Sequence, residues 1–393
     1  MDTIAEPNPV PTITVGDIFQ TGLTLCIRLP WTVIATLCRR WSPWSTYKPP
    51  PLREHLFRHV MTCFGNKIPL SIWQRFSGDH AGDNLATSIR YAHLHPQLFQ
   101  SVRTPSFAGY WICRGLAADP IAPRDADVVI LHCHGGGYVA GHPSACAPEL
   151  ALSAEILHRR GLTAAIFSLD YTLAPKARFP RQREEILAVY DWLCGEMGVN
   201  NGRIVVMGDS AGGHLVVSLL VGLYQRSRER GLAAGKPRAA LLISPWLNLH
   251  TDHPKMMALH WEERLFKMSL DSYREMLFRG VEDPELDRVY GNFGAAEEMR
   301  GSWQEILPSR TWVSAGEDEL AFRYDMEDFV EAARRDGAEV AFDVEQGKDH
   351  TWQCSEAYQQ HAQLLGATMD VDDANVMAGY RRVAREIVRR CVV

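Results

Sequence analysis

Apolar residues along the middle and C-terminal parts of this chain fall into two alternating patterns. The first is a set of short apolar runs: Val128–Cys133, Ala164–Leu169, residues 204–207, residues 239–244 and Thr311–Gly316. Each is bounded by glycine, proline or polar turn residues, which reads as a buried strand. Residues 110–115 add a strand ahead of these, and the alternating run 339–344 adds one at the end. The second pattern has helical spacing and occupies residues 148–160, 184–194 and 211–226. Strands alternating with helices of this length predict an α/β fold, with a mostly parallel central sheet covered by helices on both faces.

Two regions break the alternation. Residues 1–105 read as largely helical, with a break at Pro49-Pro50-Pro51. Within them, residues 18–44 are rich in Leu, Ile, Val and Trp, and 22–38 is the most apolar part, interrupted by Arg28 and Pro30. Three readings compete for this segment: a buried or cap-forming helix pair, a helix on a membrane surface, and a degenerate anchor. The second would set Trp31, Trp41, Trp44 and Arg39-Arg40 at the headgroups. Residues 248–301 carry Met256, Met257, Trp261, Phe266, Met268, Tyr273, Met276, Leu277 and Phe278 at helical spacing. This reads as a helical insertion. The C-terminal stretch 374–390 is an amphipathic helix with a basic face, to which no chemistry is assigned.

Composition narrows the class without naming the chemistry. The 393 residues are 46% apolar and 22% charged, which is ordinary for a globular protein. A net charge of −6, with no basic stripe, argues against nucleic acid as a partner. Nine cysteines, an odd number without C-x-x-C pairs, favour a reducing compartment, and Cys133 inside a strand reads as a small hydrophobe. The acidic, proline-containing start, Met1 to Pro11, is unlike a signal-peptide n-region. The expected location is intracellular, cytoplasmic or associated with endomembranes.

Candidate chemistry sits at two strand ends. Gly208-Asp209-Ser210-Ala211-Gly212-Gly213 joins the strand ending at Met207 to an apolar helix, which fits a nucleophile elbow. A serine on such a sharp turn points its hydroxyl out of the sheet, and the helix N-terminus behind it favours a developing negative charge. Earlier in the chain, Val128–Cys133 runs straight into His134-Gly135-Gly136-Gly137. Glycines there let backbone N–H groups approach a reacting carbonyl oxygen, as an oxyanion hole requires. His132 and His134 find no third ligand at a zinc-like sequence spacing, so no metal is expected. No Gly-Lys-Ser/Thr follows the glycines, so this is not a phosphate loop, and no cofactor is expected.

Together these motifs resemble the hormone-sensitive-lipase-like branch of the α/β-hydrolases. The segments Asp170-Tyr171-Thr172-Leu173-Ala174-Pro175, Phe179-Pro180 and Ser244-Pro245-Trp246-Leu247 agree with it, and the resemblance covers about residues 105 to 365. It implies an α/β-hydrolase fold with a helical cap. Residues 1–105 would be an extension contributing to the cap, 106–247 and 302–393 the two parts of the catalytic core, and 248–301 a cap insertion. The apolar residues between Phe19 and Trp73 are then expected to contribute to an acyl or alcohol pocket.

The resemblance also places an acid and a histidine after the serine in chain order. Its register selects Asp318 in Glu317-Asp318-Glu319-Leu320, with Glu317 and Glu319 as competitors. His350, with Trp352 two residues on, is the histidine. Ser210 would be the nucleophile, with the backbone N–H groups of Gly136, Gly137 and Ala211 as the oxyanion hole. His134 is expected to shape the glycine loop and not to carry protons. The implied activity is serine carboxylic-ester hydrolysis of a hydrophobic small-molecule ester, in the manner of arylacetamide-deacetylase-type and natural-product esterases. Acyl transfer or cyclisation by the same triad is the alternative, and a silent ligand-binding protein is the more distant one. Amide hydrolysis fits the same residues. Peripheral membrane contact through residues 18–44 and a homodimer are the two associations left open.

Overall fold

Eight strands form one sheet in the computed structural model, which describes residues 8, 11–41, 52–76, 80–231, 235–258, 261–296 and 298–391. They are β1 (Gln100–Arg103), β2 (Ala108–Arg114), β3 (Val128–Cys133), β4 (Ala164–Leu169), β5 (Ile204–Asp209), β6 (Ala239–Ile243), β7 (Thr311–Gly316) and β8 (Val340–Glu345). The order across the sheet is β1-β2-β4-β3-β5-β6-β7-β8. β1 and β2 pair antiparallel, as do β2 and β4, and every later pair is parallel. The mostly parallel α/β sheet expected from the alternation is therefore present. β1 is an addition to it: this short, half-exposed edge strand lies ahead of residue 106, inside the region read as helical.

Each central strand is buried on both faces because alternate side chains feed two separate cores. In β3, Val129, Leu131 and Cys133 join one core with Ile186, Leu215 and Phe329, which come from the helices Arg181–Cys194, Ala211–Glu229 and Leu320–Arg335. Val128 and Ile130 join the other with Leu150, Leu364 and Ile387, from the helices Ala147–His158, Trp352–Leu365 and Ala378–Cys391. The basic C-terminal helix is thus a structural cover for the second face. The nine cysteines form no disulfide.

Helices from both interrupted regions meet over the C-terminal ends of the strands. Leu52–Lys67 packs against Trp261–Phe278, and the Tyr273 hydroxyl donates to the Gly65 carbonyl at 3.2 Å. Gln74, in Leu70–Phe76, donates to the Val139 carbonyl just beyond the glycine loop at 2.7 Å. Phe179 ties the helix Trp261–Phe278 down, through its N–H to the Leu277 carbonyl and its ring stacked on Phe278 at 5.4 Å. Asn8 is stitched to the same layer, donating to Asp170 at 2.8 Å and accepting from the Leu173 N–H at 2.8 Å.

Residues Val15–Arg40 form one continuous 26-residue helical rod, long and apolar enough by composition to cross a membrane. Pro30 does not interrupt it. A single π-turn, Thr24–Arg28, precedes the proline, with the Leu29 N–H reaching back to the Thr24 carbonyl. The widened turn accommodates a residue that brings no N–H. Val15, Ile18, Phe19, Leu25, Ile27, Trp31 and Ile34 are all exposed along it. These seven apolar residues therefore face away from the α/β core, against the expectation that residues from Phe19 onward contribute to a pocket, while Leu23, Leu29, Val33 and Leu37 are half-buried. Most of the start of the chain, Trp44 and the Pro49–Pro51 break lie outside the described residues, as do the side chains of Met257, Trp261 and Phe266.

Candidate active site

Ser210 sits between the end of β5 and the first turn of Ala211–Glu229 with φ +52° and ψ −119°. A side chain held at positive φ is strained, and the surrounding bonds enforce it. The Ser210 N–H donates to the Ile243 carbonyl at 3.0 Å, while its carbonyl accepts from the Trp246 N–H at 2.9 Å. These contacts tie the elbow to the end of β6 on both sides and leave the hydroxyl outside the sheet.

His350 lies in the loop after β8, and Thr351 beyond it has a left-handed backbone, φ +50°, that turns the chain into Trp352–Leu365. His350 Nε2 is 2.9 Å from Ser210 Oγ, and His350 Nδ1 is 2.9 Å from a carboxylate oxygen of Glu319. The tautomer with the proton on Nδ1 donates to Glu319 and accepts from the serine hydroxyl. The Phe322 ring stacks on the imidazole at 4.2 Å and fixes its plane.

The acid brought to the histidine is thus Glu319, not Asp318, and this corrects the register expected from the sequence. After β7 ends at Gly316, the Glu317 N–H bonds the Glu345 carbonyl and the Asp318 N–H bonds the Lys348 carbonyl. Those bonds run the loop alongside the β8 turn and leave Asp318 exposed. Glu319 turns back inward and is buried. Its second oxygen accepts from Ser244 Oγ at 2.9 Å and from the Gly316 N–H. Burial pushes the Glu319 carboxyl above its ordinary pKa, and the bonds from His350, Gly316 and Ser244 pull it back toward the charged form. Ser244 also accepts from the Thr351 N–H at 3.0 Å, so one hydroxyl spans the acid and the histidine loop.

The glycine loop folds over the serine. Gly136 has φ +115° and Gly137 φ +63°. A Cβ at Gly136 would run into the Ala140 carbonyl, and one at Gly137 would press on the Tyr273 ring at 2.5 Å. The helix Trp261–Phe278 thus lies directly against the loop. Ala211 opens its helix, so its N–H has no intrahelical acceptor. Tyr138 closes the loop by donating to His214 Nδ1 at 2.7 Å, and His214 Nε2 donates to the Tyr290 carbonyl at 2.8 Å. Burial lowers the His214 pKa to about 4, so the imidazole is neutral and can serve both bonds. His134 is likewise held neutral, its pKa lowered to about 3 by burial, and it stacks on Tyr171 at 4.3 Å.

Tertiary packing also gathers His132, Cys146 and Asp209 behind the elbow, with one candidate ligand atom from each within 4.8 Å of the others. Sequence spacing does not reveal this group. Burial and the Asp209 charge push the Cys146 thiol well above its ordinary pKa, while His132 Nδ1 is engaged with Ser168 Oγ at 2.8 Å. Ser244, Phe322 and Tyr273 are further site residues: the sequence marks Ser244 at a strand end and Tyr273 in the insertion but assigns none of the three a role, since each reaches the site only through a loop or helix packed from elsewhere.

A serine aligned with an imidazole and a buried carboxylate can perform nucleophilic acyl transfer. A family model described as alpha/beta hydrolase fold matches residues 130–354. Hormone-sensitive lipase of Bos taurus is 40% identical over 125 residues, 30% of this chain and 16% of that protein. A putative acetyl-hydrolase, LipR, of Mycobacterium tuberculosis is 32% identical over 192 residues, 49% of this chain and 55% of that protein. The chain thus spans only about one-sixth and about half of these curated relatives. The crystal structure of a hormone-sensitive lipase from a metagenome library superposes with a TM-score of 0.61 at 20% identity, covering 87% of this chain and all of that one. That likeness concerns the fold.

Proposed function

Since the chain belongs to the α/β-hydrolase fold family, matched over more than half its length, we propose that it is a serine carboxylic-ester hydrolase. The observation that carries this reading is the continuous relay from Ser210 Oγ through His350 to buried Glu319, each step 2.9 Å. Ser210 attacks the ester carbonyl as His350 Nε2 takes its proton. The Glu319 carboxylate holds the imidazole in the required tautomer and stabilises the imidazolium. The N–H groups of Gly136, Gly137 and Ala211 receive the oxyanion. His350 then protonates the leaving alcohol, and water releases the acyl group by the same route.

Hydrolysis is preferred to acyl transfer because the His350 side chain is 22% exposed, which lets water reach the base. The substrate is a hydrophobic small-molecule ester with a short acyl group, of the kind found among acetylated natural products. The names of relatives support this: acetyl-hydrolase for a Streptomyces hygroscopicus protein and ethyl acetate hydrolase for a Pseudomonas putida protein. Tyr273 against the glycine loop gives the entrance an aromatic wall. The test is labelling of the purified chain with a fluorophosphonate, followed by peptide mapping. One adduct on Ser210, absent in Ser210→Ala together with turnover of a p-nitrophenyl ester, is expected. A folded protein that takes no adduct, or turnover retained in Ser210→Ala, would refute the assignment. Product mass with an added alcohol separates hydrolysis from transfer.

A further inference from the structure

The Val15–Arg40 rod has its polarity inside out. Its buried positions are the threonines Thr24 and Thr36, while Ile18, Phe19, Ile27, Trp31 and Trp41, just beyond the rod, are each 60% exposed or more. A polar stripe faces the protein there, flanked by half-buried Leu23, Leu29, Val33 and Leu37. Gln20 Nε2 and Thr24 Oγ1 each donate to the Lys67 carbonyl at 3.1 Å, and Thr36 Oγ1 meets His59 Nδ1 at 2.5 Å. Arg28 belongs to this inner stripe and donates to Thr24 Oγ1 at 3.3 Å. A helix on a water-facing surface normally has the reverse arrangement.

The π-turn keeps the two stripes straight. On an uninterrupted α-helix Thr24 and Thr36 would lie about 120° apart, and one extra residue in a widened turn returns them to within about 20°. The same correction aligns Phe19, ahead of the turn, with Trp31 and Ile34 behind it. One unbroken apolar face therefore runs the length of the rod, about 39 Å at the α-helical rise.

We propose that this face is embedded in the acyl region of a lipid bilayer, with the rod lying in the plane of the membrane. The in-plane orientation follows from its partner. Leu52–Lys67 runs antiparallel along the inner face and brings His55, His59 and Lys67, which hydrocarbon would not accept. Trp31 and Trp41 are suited to the headgroup boundary. The rod's partner helix also holds Tyr273 over the glycine loop, which places the cap next to the membrane. This proposal does not depend on the hydrolase reading.

The experiment is flotation of the purified full chain with vesicles of phosphatidylcholine, alone or mixed with phosphatidylserine. The protein is expected to float with both, and at about 1 M salt, where charge is screened beyond about 3 Å. The triple variant Phe19→Glu, Trp31→Glu, Ile34→Glu is expected to lose roughly tenfold or more of the bound fraction. Its circular dichroism and melting transition should match the wild type. Protease added outside the vesicles should still cleave ahead of Val15. Three results would overturn the proposal: no flotation, binding to anionic vesicles alone that salt abolishes, or equal flotation of the triple variant. Protection of the segment before Val15 would show a spanning rod and overturn the in-plane orientation. A lipid-free dimer dissolved by the triple variant, without flotation, would assign the face to a second copy of the chain.

Discussion

Replacing Glu319 by glutamine tests the acid assignment while preserving shape. The carboxylate lies 2.9 Å from His350 Nδ1 and is wholly buried, so its charge acts on the imidazolium of the transition state with little screening. At a charge separation of about 4 Å and an effective dielectric near 20, the lost attraction is about 4 kcal/mol. At about 1.4 kcal/mol per tenfold, kcat should fall about a thousandfold. KM should hardly move, because the ground-state ester does not touch Glu319 in the proposed mechanism. Asp318→Asn, at an exposed position, should stay within about twofold of wild type. Glu319→Asp is expected to fall between them, since one methylene fewer withdraws the carboxylate about 1.5 Å from Nδ1. The assay is steady-state hydrolysis of p-nitrophenyl acetate, with circular dichroism to verify folding. A collapse of kcat in Asp318→Asn, with Glu319→Gln near wild type, would refute the reasoning.

Two other predictions concern the glycine loop and a buried acid outside the relay. Gly136→Ala combines a side chain at φ +115° with a collision against the Ala140 carbonyl, so the loop must shift and its N–H groups with it. A hundredfold or greater loss of kcat is expected, equivalent to about 3 kcal/mol for one oxyanion donor, and unchanged kinetics would remove this loop from the mechanism. Asp325 is buried with one oxygen accepting from Asn248 at 2.9 Å, and burial raises its pKa to about 7. A carboxyl raised in the folded state contributes stability that is complete below the unfolded value near 4 and lost as pH rises to about 7. Asp325→Asn should therefore melt a few degrees above wild type at pH 8 and with it at pH 4. Equal melting curves at both pH values would show that Asp325 ionises normally.

Local sequence determined much of this protein. The short apolar runs of β3 to β7 have one stable use, as strands covered on both faces, and they lie where periodicity places them. Ser210 and His350 were legible for a related reason: a glycine-bounded serine between a strand and a helix, and a histidine after the last strand, are set by chain-local geometry. The half-exposed β1 left no such signal, because four residues with little apolar content need the neighbouring β2 to define them.

What tertiary structure alone decided is direction. Glu317, Asp318 and Glu319 are three adjacent acids with similar intrinsic chemistry. Backbone bonds to Glu345 and Lys348 hold the first two along the β8 turn, and only the third points inward to His350. Ser244 and Phe322 complete the relay from other segments of the chain, and no spacing rule connects them to it. The N-terminal rod makes the same point at larger scale. Its sequence states how apolar it is, but a buried helix and a lipid-facing one have equal hydropathy. Only packing against Leu52–Lys67, with the π-turn bringing Thr24 and Thr36 onto one side, reveals that the polar stripe faces the protein and the apolar stripe faces out.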